Sequence, residues 1–213
     1  MKAAIFDLDG TLVDSMGVWG QINREFLTGR GFEYPDDLPE IVKKMSFAES
    51  AAYHIQRFAL GETPEELIAE WNRMAARAYA ETLELKEGAR ELLEGLKTKG
   101  VKLALATATE RALAESALKR LEVLAWFQVI TTVGEVGLNK DDPGFFLKVA
   151  EKLGVAPGDC VVVEDSLHAV KGAKLAGMTV WAVYDAASAH ERAEMAKIAD
   201  RYVESLSELT EDD

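Results

Sequence analysis

The residues of this chain best suited to chemistry are acidic and stand in two short runs. Asp7 and Asp9 lie in Asp7-Leu8-Asp9-Gly10-Thr11, directly after the apolar stretch Ala3-Ala4-Ile5-Phe6. Glu164-Asp165-Ser166 follows the apolar stretch Cys160-Val161-Val162-Val163. Uncharged apolar runs of this kind read as strands of a parallel sheet buried on both faces, and open parallel sheets bind ligands beyond the carboxyl ends of their strands. Both runs should therefore deliver their carboxylates to one sheet edge, beside Thr107 at the end of another apolar run, 101–106. Four carboxylates so placed repel one another, and burial disfavours their charged forms further. Either some are protonated or a hard cation neutralises them. An all-oxygen donor set, in a chain with only three histidines, favours Mg2+. Such an ion also lets an anionic substrate approach an acidic site.

The elements that must position these groups follow from the apolar pattern. After Glu87-Gly88, helices at 89–99, 110–121, 143–153 and 167–176 alternate with strands at 101–106, 127–131, 160–163 and 178–183, and 201–203 reads as a short last strand. From 16 to 79 the pattern is helical, with helices at 18–27, 47–58 and 64–80. The last of these has a full start signal: Thr63 as N-cap, Pro64 at the first position, then Glu65 and Glu66. Pro35-Asp36-Asp37-Leu38-Pro39 reads as a loop. The expected architecture is α/β: a Rossmann-like parallel-sheet core made of residues 1–15 and 82–213, with an α-helical domain, 16–81, inserted between them.

Composition narrows the function. A chain of 213 residues can bury a full domain core and a smaller second one. Its formal net charge of −13 argues against binding nucleic acid or an acidic membrane, which need a basic surface. An anionic substrate would then require local positive charge from a metal, a lysine or helix N-termini. No apolar run approaches the ~18 residues of a membrane span, and Asp7 and Asp9 break the opening run too early for a signal peptide. Cys160 is the only cysteine, so no intrachain disulfide can form, which fits a reducing cytoplasm; its apolar neighbours mark a buried thiol. Nothing in the sequence demands more than a monomer.

Four stations occur in a fixed order: Asp7-Leu8-Asp9-Gly10-Thr11-Leu12-Val13-Asp14-Ser15 after a buried strand, a strand ending at Thr107, Lys140 ahead of a proline-started helix, and Val161-Val162-Val163-Glu164-Asp165-Ser166. Together they resemble the haloacid dehalogenase superfamily, whose members are mostly phosphatases. A calcium loop is the other use of such an acidic run, but Gly10 comes too early for one and no glutamate closes it. The resemblance implies that Asp7 attacks phosphorus to give an aspartyl-phosphate, and that Asp9 protonates the leaving oxygen and then deprotonates the incoming water. It implies Mg2+ held by Asp7, Asp165 and the backbone carbonyl of Asp9, with Glu164 ligating or orienting beside them. Thr107 and the Ala108 amide would bind phosphate oxygens, and Lys140 would pair with the phosphate and with Asp7. Taken singly these residues have plainer uses: Thr107 or Thr109 as a helix N-cap, Lys140 as a solvated loop lysine, Glu164-Asp165-Ser166 as a helix cap. Two departures stand out. Relatives often carry Lys-Pro-x-Pro-Asp where this chain has Lys140-Asp141-Asp142-Pro143-Gly144, and often Asn where it has Ala108.

The insert occupies the position of the helical cap in the subgroup that includes β-phosphoglucomutase, which implies a lid that reads the substrate beyond its phosphate. Its candidates are Trp19, Lys43, Lys44 and Arg57, set against plainer roles: helix packing for Trp19 and Trp71, a solvated face for Lys43-Lys44. His54, in an apolar helical stretch, reads as structural. The implied substrate is a small phosphorylated metabolite, a sugar phosphate or similar monoester. Dehalogenase and phosphonate-hydrolase relatives lack the acid/base Asp two residues after the nucleophile, so Asp9 argues against both reactions. A β-phosphoglucomutase-type phosphomutase uses the same Asp pair, but those relatives carry a histidine at about the place of Trp19, and hydrolysis is favoured. A non-catalytic Mg2+-binding regulatory module is the third alternative; a decayed enzyme would have lost one of Asp7, Asp9, Lys140 or Asp165, and all four are present.

Overall fold

The computed structural model describes residues 1–15, 17–42, 45 and 47–209. The chain divides into two compact units, Met1–Met16 with Leu83–Asp213, and Gly17–Thr82.

The first unit carries six strands: β1 (Ala3–Phe6), β2 (Lys102–Thr107), β3 (Phe127–Thr132), β4 (Cys160–Glu164), β5 (Thr179–Val183) and β6 (Arg201–Val203). All pair in parallel, in the order β3-β2-β1-β4-β5-β6. This is the Rossmann-like α/β arrangement. The chain builds outward from β1 through β2 to β3, then returns beside β1 and builds the other way, so the strand order reverses between β1 and β4. A crevice opens at such a reversal. Phe6 is in register with both Leu105 and Val163, so the first residue past β1 emerges between the ends of β2 and β4. That residue is Asp7, whose N–H donates to the Val163 carbonyl at 3.1 Å.

Helices α1 (Val18–Gly29), α2 (Leu38–Val42), α3 (Phe47–Phe58) and α4 (Pro64–Glu81) make up the second unit; α5 (Ala89–Thr98), α6 (Arg111–Arg120), α7 (Val133–Val136), α8 (Pro143–Leu153), α9 (Leu167–Leu175) and α10 (Arg192–Ile198) accompany the sheet. Phe145, Phe146 and Val149 of α8 and Ala173 of α9 form one core with Ile5, Ala104 and Val162 of the strands. Each buried phenylalanine there contributes about 1.5–3 kcal/mol, which fixes α8, and the loop ahead of it, against the sheet. In the second unit, α4 starts with a capping box in which Thr63 Oγ1 accepts from the Glu66 N–H and Glu66 Oε2 accepts from the Thr63 N–H at 2.8 Å.

Some elements differ from the sequence expectation. The 35–39 segment is not all loop, since α2 begins at Leu38. Neither α7 nor α10 is expected from the apolar pattern. The first is a single turn closed by a Thr132–Glu135 capping box, too short to show a period, and the second buries only Met195. Strands β2 and β4 each run one residue further, to Thr107 and Glu164. Among the described residues, no helix is long and apolar enough to cross a membrane.

Candidate active site

The turn after β1 is tight. Leu12 and Val13 N–H groups both donate to the Leu8 carbonyl at 2.9 Å, and Gly10 sits at φ +80°, a left-handed conformation that glycine adopts without the Cβ clash of other residues. The turn swings Thr11 back under the sheet edge, fully buried, where its hydroxyl donates to Asp165 Oδ1 at 3.0 Å. The loops after β1 and β4 are thereby tied together at the reversal.

Lys140 reaches the same place from the loop ahead of α8. Its side chain is buried, and its ammonium donates to Asp7 Oδ1 and to Glu164 Oε2, the latter at 2.9 Å. A glycine makes this approach possible: a Cβ on Gly172 of α9 would lie 1.9 Å from the Lys140 carbonyl oxygen. Glu164 is held at its other oxygen as well, Oε1 accepting from the Asp165 N–H, the Ser166 N–H and the Ser166 hydroxyl at 3.1, 3.1 and 2.8 Å.

Asp7, Glu164 and Asp165, all buried, each place an oxygen within 4.8 Å of the others. Their electrostatics diverge. Burial pushes Asp7 up to about 8, with the Glu164 charge adding to the shift and Lys140 opposing it. Burial likewise pushes Asp165 up to about 9, reinforced by Glu164 and Asp7. Glu164 moves the other way: burial would raise it, but Lys140 and its other donors outweigh that and lower it. For Lys140, burial disfavours the charge, yet Asp7 and Glu164 prevail and its pKa rises. One ammonium thus neutralises one of three carboxylates. The remaining two are high-pKa oxygens facing a common point, which suits a hard divalent cation that would displace their protons.

The fourth carboxylate stands apart from that group. Asp9 Oδ1 accepts from the Ser15 hydroxyl and Asp9 Oδ2 from the Thr109 hydroxyl, each at 2.6 Å. Thr107 is buried at the end of β2, and its Oγ1 accepts from the Thr109 N–H at 3.0 Å, while Ala108 between them is exposed. Neither threonine caps α6, whose N-cap is Glu110. Nor does a side-chain bond cap α9 at Ser166, because that hydroxyl serves Glu164.

Sequence reasoning did not assign Thr11, Ser15, Thr109, Ser166 or Gly172 to the site. The hydroxyl residues flank the named acids within one to six positions or, for Thr109, across the strand edge, so proximity to a strand end is the available signal. Gly172, inside a helix, gave none.

Within the second unit, Trp19 is 42% exposed and packs edge-on against Phe47 at 5.0 Å. Both line a cavity of about 460 Å³ with Tyr34, Asn23, Trp71 and Asn72. Arg57 is engaged elsewhere on that unit, donating to Asp37 Oδ1 and the Tyr53 hydroxyl, both at 2.8 Å. Lys43 and Lys44 lie outside the described residues. His54 is fully buried, with Nδ1 2.8 Å from the Ser50 carbonyl oxygen, and burial lowers its pKa.

Comparison with known proteins finds relatives of this chain. Residues 1–177 match the haloacid dehalogenase-like hydrolase family. A phosphorylated carbohydrates phosphatase of Thermotoga maritima is 33% identical over 178 residues, 84% of this chain and 82% of that protein. A validoxylamine A 7'-phosphate phosphatase of Streptomyces hygroscopicus subsp. limoneus is 33% identical over 181 residues, 83% of each chain. A crystal structure from Thermotoga maritima, described provisionally as a β-phosphoglucomutase, superposes with a TM-score of 0.88 at 30% identity, covering 98% of this chain and 96% of that one. By motif order, sheet topology and this match, the chain belongs to the haloacid dehalogenase-like hydrolases.

Proposed function

We propose that this chain is a Mg2+-dependent phosphatase that hydrolyses a small phosphorylated carbohydrate or similar monoester through an aspartyl-phosphate on Asp7. The observation that carries the reading is the convergence of Asp7, Glu164 and Asp165 within 4.8 Å with Lys140 bonded to two of them. The relatives named as phosphatases of phosphorylated carbohydrates and of validoxylamine A 7'-phosphate support the substrate class.

In this mechanism Asp7 and Asp165, with the Asp9 backbone carbonyl, would hold the cation. Glu164 keeps Lys140 in place rather than ligating, since both its oxygens already accept protein donors. When bound, Mg2+ supplies charge that offsets the approach of a phosphate to these carboxylates. Lys140 fixes one oxygen of Asp7, leaving the other to attack. The attacking oxygen forms a bond to phosphorus as the ester P–O bond breaks, and the Asp9 carboxylic acid gives its proton to the departing oxygen. A water molecule then loses a proton to Asp9 as it attacks the aspartyl-phosphate, releasing inorganic phosphate and restoring Asp7. The Ser15 and Thr109 hydroxyls aim Asp9 for both transfers. Thr107 and the Ala108 amide would bind the phosphate oxygens. Buried Cys160, a free thiol, is compatible with action in the cytoplasm, and the chain is read as a monomer.

The test is a screen of sugar phosphates with Mg2+ and with chelator, using Asp7→Asn as the blank. The expected result is Mg2+-dependent phosphate release that vanishes in the blank. Undiminished turnover by Asp7→Asn would overturn the covalent mechanism, and conversion of glucose 1-phosphate to its isomer without phosphate release would favour the phosphomutase.

A further inference from the structure

Lys86 stands between Glu84 and Glu87, where its sequence context suggests a solvated lysine. In the structure its side chain is only 19% exposed. The ammonium donates to the Gly10 carbonyl at 2.6 Å, the Tyr184 carbonyl at 2.9 Å and Asp185 Oδ2 at 2.9 Å. An ammonium has three N–H donors, and each meets a different oxygen here. Asp185, just past β5, is itself buried, and its second oxygen accepts from the Ala187 N–H at 2.9 Å. The charge of Lys86 is therefore matched and its position fixed from the β5 side.

What it grips is the turn that carries the catalytic acids. The Gly10 carbonyl lies one residue after Asp9 and one before Thr11, which bonds Asp165. The backbone adds to the grip: the Lys86 N–H donates to the Leu12 carbonyl at 2.9 Å, the Asp14 N–H to the Glu84 carbonyl at 3.1 Å, and Val13 bridges antiparallel to Leu85. These bonds also set the path to Ser15, whose hydroxyl holds Asp9. Without the ammonium, the left-handed Gly10 keeps, among the described residues, the backbone bond from its own N–H to the Val13 carbonyl at 3.0 Å.

We propose that Lys86, anchored by Asp185, is a positioning residue for Asp9: by clamping the Gly10 carbonyl it aims the Asp9 carboxyl at the leaving oxygen. The inference rests on the phosphatase reading above, with Asp9 as general acid. A misplaced acid penalises only those esters whose leaving oxygen needs a proton. An alkyl phosphate needs one, whereas the nitrophenolate of 4-nitrophenyl phosphate departs without it. A merely structural role would impair both alike.

The experiment measures kcat/KM, which reports the step that forms the aspartyl-phosphate, for a sugar phosphate and for 4-nitrophenyl phosphate in wild type, Lys86→Met, Lys86→Arg and Asp185→Asn. Misplacement of a catalytic group costs roughly 10- to 100-fold, so Lys86→Met should lose that much on the sugar phosphate and less than about a third of it on the aryl ester. Lys86→Arg should recover part of the loss, and Asp185→Asn, which keeps the shape of the anchor, should show the same selective pattern more weakly. If Lys86→Met does not fold, the pattern in Asp185→Asn decides. Equal losses on both esters, or no loss, would overturn the clamp while leaving the phosphatase intact. A wild-type protein inert toward both esters would instead overturn the phosphatase reading, and the clamp with it.

Discussion

Replacing Asp7 with Asn removes a titratable carboxyl from the buried cluster and keeps the side chain's size. Burial, together with the charge of Glu164, holds the Asp7 carboxyl up at about 8 despite Lys140, whereas an unfolded aspartate titrates near ~3.9. A carboxyl whose pKa is raised by folding contributes stability that is complete below the unfolded value and is lost as pH climbs to the folded one. Metal-free wild type must therefore take up a proton on folding anywhere between about 4 and about 8, at a cost that grows by about 1.36 kcal/mol per pH unit. Asn at this position escapes that cost. From pH 5 to pH 7 the wild type should lose up to about 2.7 kcal/mol relative to Asp7→Asn, an upper bound because the Asp7 charge also raises Asp165 beside it. For a domain of this size that is a relative change in Tm of about 5–11 °C. The assay is thermal denaturation of both proteins in chelator at pH 5, 6 and 7. A difference that stays flat, or that moves in favour of the wild type as pH rises, would refute the electrostatic account of the cluster.

Three further substitutions probe other parts of the site. Lys140→Met strips buried Glu164 of its cation and Asp7 of a hydrogen-bond donor, and breaking such a buried ion pair costs about 3–5 kcal/mol; urea denaturation at neutral pH should show a loss of that order, and a loss under about 1 kcal/mol would place Lys140 outside the buried network. Thr109→Val removes one hydroxyl from Asp9; a hydrogen bond is worth about 0.5–1.5 kcal/mol, so kcat should fall roughly 2- to 10-fold with Mg2+ affinity unchanged, and an unaltered kcat would show that this hydroxyl does not aim Asp9. Gly172→Ala forces a Cβ toward the Lys140 carbonyl; such overpacking costs about 1–3 kcal/mol, and calorimetry should register it together with lost activity, whereas a fully stable and active variant would show that the close approach is not required.

Much of this was legible in the sequence because the core unit obeys local rules. Ala3–Phe6 and residues 160–163 are unbroken apolar runs, each is followed by acidic residues at its carboxyl end, and parallel strands leave those residues on one edge, which is what places Asp7, Glu164 and Asp165 together from the sequence. What escaped depended on contacts far apart in the chain. The separate roles of the acids are one case: Glu164 differs from its neighbour Asp165 because its oxygens are taken by Lys140 and Ser166, which no spacing announces. The partners of Asp9 are another, since Thr109 lies 100 residues away. Lys86 looks like any exposed lysine until Gly10, Tyr184 and Asp185 are seen around it. Short helices such as α7, with a cap but no apolar period, fall below what pattern can detect.

The account stands or falls on the nucleophile. Acid-quenched single turnover of a sugar phosphate in the presence of Mg2+, followed by peptide mass spectrometry, should find the phosphoryl group on the peptide containing Asp7 and nowhere else, with Asp7→Asn giving neither adduct nor phosphate. Phosphate release with no adduct, or an adduct on a peptide that lacks Asp7, would contradict it.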